Sequence, residues 1–135
     1  MDKMQKILVI GLGNPGIKYE KTWHNVGFKA IAMFAKENQF PIFNLQGERF
    51  FKTSENTFEG KNLILIKPLT FMNNSGKAVK LAINRYKQLT DIIVIHDDID
   101  LPLGKIRIAK NKGSAGHNGI NSIINEIKTK NFTRI

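Results

Sequence analysis

Three histidines, His24, His96 and His117, are the side chains here that ordinarily titrate near neutral pH, so proton transfer at pH 7 falls first to them. Each precedes a polar residue, giving His24-Asn25, His96-Asp97 and His117-Asn118. The sequence has no cysteine, and no serine stands in a G-x-S-x-G turn. A hydrolase built on this chain would therefore use water as nucleophile and a histidine as its base, which contributes on the order of 10²–10⁴ in rate.

The run His96-Asp97-Asp98-Ile99-Asp100 admits three readings. Its carboxylates could bind Mg²⁺, form a solvated turn, or orient a histidine and support the imidazolium that forms on protonation. A zinc site from the three histidines and Asp97 is a fourth possibility, but no histidine pair has i,i+4 spacing and no His-Glu-x-x-His occurs. The neutral amides Asn14, Asn25, Asn73 and Asn118 suit a site that binds a peptide-like group and an oxyanion without fixed charge.

Gly11-Leu12-Gly13-Asn14-Pro15-Gly16 matches the dinucleotide-binding G-x-G-x-x-G. That motif requires a helix to begin at the glycines. Pro15 interrupts, and the next helical periodicity begins some ten residues later, so a turn presenting Asn14 is the better reading. Ser75-Gly76-Lys77 is no phosphate loop, because Phe71 stands where its first glycine should be.

These residues need strand ends and helix starts to position them. Lys6–Ile10 and Ile92–Ile95 are apolar runs that predict buried strands. Phe50–Phe58 and Asn62–Ile66, separated by a glycine-containing turn, predict a hairpin. Helical spacing places Phe28, Ile31, Ala32 and Ala35 on one face. It does the same for Val79, Ala82, Ile83 and Tyr86, in a helix that Asn74 or Ser75 could cap. A last helix spans about Gly119 to Lys128, Lys105–Ala109 reads as a half-exposed strand, and Asn131–Ile135 as a strand just beginning. Strands alternating with helices predict an α/β fold: a single domain with a mixed, mostly parallel twisted sheet flanked by helices. Its working residues would lie beyond the carboxyl ends of the strands.

A hydrophobic fraction of 41% suits one globular domain, and the short apolar start is too brief for a signal peptide or membrane span, so a cytoplasmic location is expected. Net charge is +10, which favours a polyanionic partner, although 17 of the 21 cations are lysine, a mixture that AT-rich coding bias also yields. Position favours nucleic acid: Lys105, Arg107, Lys110, Lys112, Lys128, Lys130 and Arg134 crowd the last third, where Glu126 is the only acid beyond Asp100.

Long ordered blocks then carry a resemblance. Gly11 to Gly16, Tyr19, Trp23-His24-Asn25-Val26-Gly27, Lys67-Pro68-Leu69-Thr70-Phe71-Met72-Asn73-Asn74-Ser75-Gly76, His96 to Gly104 and Gly116-His117-Asn118-Gly119 resemble bacterial peptidyl-tRNA hydrolase. The resemblance implies cleavage of the ester between a peptide and the terminal ribose of tRNA. It implies His24 as the base that activates water, with Asp97 holding it. It further implies that Asn14, Asn73 and Asn118 position the peptide and ester carbonyl, that Tyr19 and Met72 line the cleft, and that Asn25 and His117 tune substrate contacts. Lys105, Arg107, Lys110 and Lys112 are the expected tRNA-binding residues. No cofactor, metal, membrane or obligate protein partner is implied, and a monomer is expected.

The sequence departs from the family's pattern at Lys112-Gly113-Ser114-Ala115-Gly116, where one glycine is lost, and at Ala109, where an arginine is frequent. Residues 1–135 are expected to form the hydrolase-like domain without its last strand and C-terminal helix, leaving a sheet edge exposed. A non-catalytic RNA-binding relative and an inactive fragment are the alternatives.

Overall fold

The apolar run after Gln5 forms strand β1 (Lys6–Gly11), the centre of the sheet. In the computed structural model, residues 4–16, 25–46, 50–86, 88–97, 108–110, 113, 117–129 and 131–135 are described. The elements that follow are α1 (Val26–Glu37), β2 (Asn44–Gln46), β3 (Phe51–Phe58), β4 (Lys61–Pro68), α2 (Ser75–Arg85), β5 (Asp91–Ile95), β6 (Ala109–Lys110), α3 (Asn118–Ile127) and β7 (Thr133–Arg134). Among the described residues the sheet has seven strands in the order β2-β3-β4-β1-β5-β7-β6. β4, β1, β5 and β7 run parallel, while β2, β3 and β6 pair antiparallel with their neighbours. The α/β fold with a mixed sheet and flanking helices is the one expected.

Alternation along β1 divides the core between the two faces of the sheet. Leu8 and Ile10 join Ile64, Ile66, Val79, Ala82, Ile120, Ile123 and Phe132 beneath α2 and α3. Ile7 and Val9 turn the other way, toward Ile31, Ala35, Leu63 and Leu65 beneath α1. A strand covered on both faces reads as a continuous apolar run, which is why β1 is visible in the sequence. The β3–β4 hairpin closes through Glu59 and Gly60, both with positive φ (49° and 77°), the backbone that matches the strands' right-handed twist.

The observed helices coincide with the periodic segments, and their starts refine the expectation. Asn74 occupies the N-cap position of α2 but makes no side-chain cap bond. The Ser75 hydroxyl instead donates back to the Met72 carbonyl at 2.8 Å. Of the expected inward face, Val79 and Ala82 are buried with Ala78, while Ile83 and Tyr86 are only partly covered.

The expected exposed edge takes a different form. β7 lies between β5 and β6 and bonds both, so Ile93 and Val94 have a strand neighbour on that side. The pairing extends past β7, where Ile135 N donates to the Val94 carbonyl at 2.9 Å and His96 N to the Ile135 carbonyl at 3.1 Å. Phe132, just before β7, is 1% exposed and anchors this strand in the core; covering such a side chain contributes about 1.5–3 kcal/mol.

Candidate active site

The carboxyl ends of β1, β4 and β5 converge, and each delivers a polar side chain. Past β1, Leu12 N donates to the Ile95 carbonyl (2.9 Å) and the Leu12 carbonyl accepts from Phe28 N (3.2 Å), which ties the loop to β5 and to the start of α1. Gly27 permits that contact, because a Cβ there would lie 2.4 Å from Leu12 N and 2.5 Å from the Ile95 carbonyl oxygen.

Asn14 follows and is fixed at both its backbone and its side chain. Its N–H donates to Asn25 Oδ1 (2.8 Å) and its carbonyl accepts from Asn25 Nδ2 (3.0 Å), a reciprocal pair made by a side chain only 4% exposed. The Asn14 side chain then reaches across to the segment after β4, where Oδ1 accepts from Met72 N at 2.6 Å. With the oxygen committed, Nδ2 is the donor Asn14 can offer a bound carbonyl.

Met72 begins the 3-10 turn Met72–Asn74 that leads into α2. It is buried, while Asn73 beside it is exposed. Gly119 at the start of α3 closes onto the same spot: a Cβ there would meet Met72 Sδ at 2.7 Å, and His117 Cε1 and Leu12 Cδ1 at 3.0 Å each. The amides and the imidazoles are thus adjacent through contacts that leave no room for a methyl group.

Beyond β5, Asp97 is 7% exposed, and its Oδ1 lies 2.8 Å from His117 Nε2. His117 also caps α3, its Nδ1 accepting from Ile120 N at 3.1 Å. An acceptor Nδ1 puts the ring proton on Nε2, which donates to Asp97, so both nitrogens are occupied in the neutral ring. His96 Nδ1 lies 2.6 Å from the Asp97 carbonyl oxygen, to which it donates, and its ring meets that of His117 edge-on at 4.7 Å. Burial pushes the His96 pKa down, opposed by the hydrogen bond to the Asp97 carbonyl; the nearby His117 and Arg134 push it further down, and the Asp97 charge raises it.

His96, Asp97 and His117 each offer a ligating atom, all within 4.8 Å of one another. The bonding pattern does not fit a metal. Coordination through His117 Nε2 would move the ring proton to Nδ1, against the Ile120 N–H that it now caps. The cluster is satisfied by hydrogen bonds as it stands.

Of the expected site residues, Asn14, Asn25, Met72, Asn73, Asp97, His117 and Asn118 gather at this end of the sheet; Asn118 is exposed. His24 and Tyr19 lie outside the described residues, so the Asp97–His24 pairing does too, and the described imidazole partner of Asp97 is His117. Among the expected tRNA contacts, Lys110 is exposed on β6, while Lys105, Arg107 and Lys112 lie outside the described residues.

Two residues acquire roles that sequence reasoning missed. Arg134, counted among the basic cations of the last third, is only 9% exposed, and its guanidinium donates to the Gly113 carbonyl at 2.6 Å. The signal was its i,i+2 spacing from Phe132, which puts both on one face of an extended segment. His96, read as one of three proton-transfer candidates, backs the ring of His117. A groove lined by Gln5, Ile7, Thr90 and Asp91 lies at the opposite, amino ends of β1 and β5, away from this chemistry.

Fold and site together define an α/β protein whose neutral amides and imidazole–carboxylate cluster meet beyond the carboxyl ends of the central strands. The profile of one family, peptidyl-tRNA hydrolase, matches residues 8–135. The chain belongs to that family. It is 47% identical over 132 residues to the peptidyl-tRNA hydrolase of Thermodesulfovibrio yellowstonii, covering 96% of this chain and 69% of that one. It is 49% identical over 129 residues to that of a Thermoanaerobacter species, covering 95% and 69%. Among solved structures, peptidyl-tRNA hydrolase from Acinetobacter baumannii superposes with a TM-score of 0.87 at 31% identity, covering 99% of this chain and 68% of that one.

Proposed function

We propose that this chain hydrolyses the ester joining a peptide, or an N-blocked aminoacyl group, to the 3′ end of tRNA, so releasing tRNA for reuse. A water molecule attacks the ester carbonyl carbon as an imidazole nitrogen of His24 takes its proton. Asn14, Asn73 and Asn118 position the peptide and the ester carbonyl, and one of these side-chain amides meets the tetrahedral oxyanion. The ribose oxygen then leaves with the proton returned by His24, giving a free peptide acid and tRNA. Met72 and Tyr19 line the cleft, and Asn25 fixes Asn14 from below.

The observation that carries this reading is Asp97, a carboxylate almost fully buried at the carboxyl end of β5 and hydrogen-bonded to the His117 imidazole. A carboxylate has about four acceptor positions on its two oxygens, so Asp97 can serve His117 and His24 together. His96 is held toward its neutral form by burial, and the His117 ring is engaged at both nitrogens, by Ile120 N and by Asp97. Asp97 orients His24 and supports the imidazolium that forms on it during turnover.

The phosphates of tRNA are held by Lys105, Arg107, Lys110 and Lys112, of which Lys110 is exposed on β6. The enzyme works as a monomer in the cytoplasm, with no cofactor. No described helix is long and apolar enough to cross a membrane.

The test is release of N-acetyl-aminoacyl groups from tRNA by the 135-residue chain, with His24→Ala beside it. Wild-type turnover that falls about 10²–10⁴-fold in the variant is expected for loss of a general base. Near-normal turnover by His24→Ala would take the base out of this scheme. Tight, salt-sensitive tRNA binding with no product would return the RNA-binding reading.

A further inference from the structure

The first-turn N–H groups of a helix have no partner inside the helix, and a side chain at the N-cap ordinarily accepts from the second or third of them. α2 lacks that local solution, since Asn74 at its N-cap makes no side-chain cap bond. Gly76, the second residue of α2, donates instead to Ser122 Oγ on α3, at 2.9 Å. The approach that makes this possible depends on glycine: a Cβ at Gly76 would fall 2.1 Å from the Ser122 carbonyl oxygen and 2.7 Å from Glu126 Cγ. α3 therefore supplies both the wall against which α2 begins and the acceptor that α2 lacks.

The segments joined in this way carry the amides of the site. The 3-10 turn Met72–Asn74 runs directly into α2, and its Met72 carbonyl is held by the first residue of that helix, Ser75. On α3, Asn118 precedes Ser122 by four residues, so the two lie on one side of the helix, about 6 Å apart along its axis. The Met72–Gly119 contact joins the same two segments nearer the cleft. That contact is apolar and sets how closely they approach. The Gly76–Ser122 bond is directional and sets how one is rotated against the other.

We propose that Ser122 is a positioning residue: by capping α2 from a neighbouring helix it fixes Asn73 relative to Asn118, and so the spacing of two of the donors that grip the reacting ester. The proposal rests on the hydrolase reading for what those amides do, but the coupling itself is a property of the fold. Ser122 touches no substrate; it acts through Gly76 and the turn before it. A displacement of about 1 Å at such donors costs on the order of 10²-fold in rate, and loosening one cap gives a part of that.

The experiment compares Ser122→Ala with Ser122→Thr and Ser122→Asp in the 135-residue chain, using N-acetyl-aminoacyl-tRNA. The expected result is a kcat about tenfold lower for Ser122→Ala, with KM within about twofold because phosphate contacts dominate tRNA affinity. Ser122→Thr and Ser122→Asp keep an oxygen that can accept from Gly76 N–H and return kcat to within about threefold of wild type. A kcat unchanged in Ser122→Ala overturns the proposal, as does an equal loss in all three variants. If Ser122→Ala fails to fold, the other two decide: they must retain activity. If the unmodified chain shows no turnover, the hydrolase reading fails separately. The side-chain amide resonances of Asn73 and Asn118 then report the coupling, moving in Ser122→Ala and returning in Ser122→Thr. Resonances that stay put in Ser122→Ala overturn it.

Discussion

The site is made of two unlike halves. The amide half, Asn14 with Asn25 and Met72, is held by contacts between segments far apart in sequence, and each described bond joins a side chain to backbone. The imidazole half, His96, Asp97 and His117, joins two neighbouring residues to the start of α3 and contains titratable groups. Neutral amides can be buried at little cost once their bonds are made, and their geometry does not change with pH. A carboxylate and two imidazoles in the same volume depend on proton occupancy for their arrangement. The difference teaches that position and protonation are assigned to separate groups here, so they can be perturbed separately.

The sharpest way to break that separation is Asn14→Asp. The new carboxylate can still accept from Met72 N, so the turn keeps its partner, but the Nδ2 donor is gone. Single-turnover hydrolysis is expected to slow by about 10²–10³-fold, the usual effect of deleting one oxyanion donor. Thermal unfolding at pH 7 should change far less than activity. An unchanged rate would assign the donor role elsewhere.

Gly119→Ala acts on both halves at once, because its methyl group would press on Met72 Sδ and His117 Cε1 together. Overpacking of this kind costs about 1–3 kcal/mol, read as a lower urea midpoint with unchanged m-value. An unaltered midpoint would show that the two halves are more loosely joined than the contacts imply.

A subtler change is expected in the pH dependence of stability. His96 has a folded pKa below the ordinary 6.5. Between that depressed value and the unfolded one, the unfolded chain binds more protons than the folded chain. Folding stability from this group is therefore full above the unfolded pKa and is lost as pH falls through the folded pKa. In His96→Asn, whose amide can still donate to the Asp97 carbonyl, urea midpoints should decline less between pH 7 and pH 5 than in wild type. Parallel declines would remove His96 as a source of the acid sensitivity.

The smallest effect is expected outside both halves. Lys110→Ala on β6 should leave kcat unchanged and reduce the slope of log affinity against log salt for tRNA by about one. Filter-binding across a salt series checks it, and an unchanged slope would place the phosphate contacts elsewhere.

The sequence disclosed the elements whose patterns are set by their own burial. β1, β5 and the β3–β4 hairpin announced themselves through apolar runs and a glycine turn, and α1 to α3 through helical spacing. Only three residues long, β2 left too little pattern to detect. The site's residue types were legible too, but their bonds were not. That Asn25 turns its amide onto the backbone of Asn14 depends on α1 docking over the loop after β1, which no local preference dictates. That α2 takes its cap from Ser122, rather than from Asn74 or Ser75, follows from a helix crossing that Gly76 alone permits. Arg134 read as surface charge because its inward direction is set by β7 lying inside the sheet.

The place of β7 also bears on the order in which the strands of the sheet can join. Among the described residues, β6 pairs only with β7, the last of the described strands. A ribosome releases this polypeptide from its amino end, so β1 to β4 can assemble while later residues are still being added. The strand carrying Lys110 emerges before Thr133 and Arg134 and waits for them before it has its described neighbour to join. At ordinary translation speeds that wait lasts on the order of seconds. During it the nascent chain has a formed nucleus and an unfinished border, and the Arg134 bond to the Gly113 carbonyl waits for the same interval.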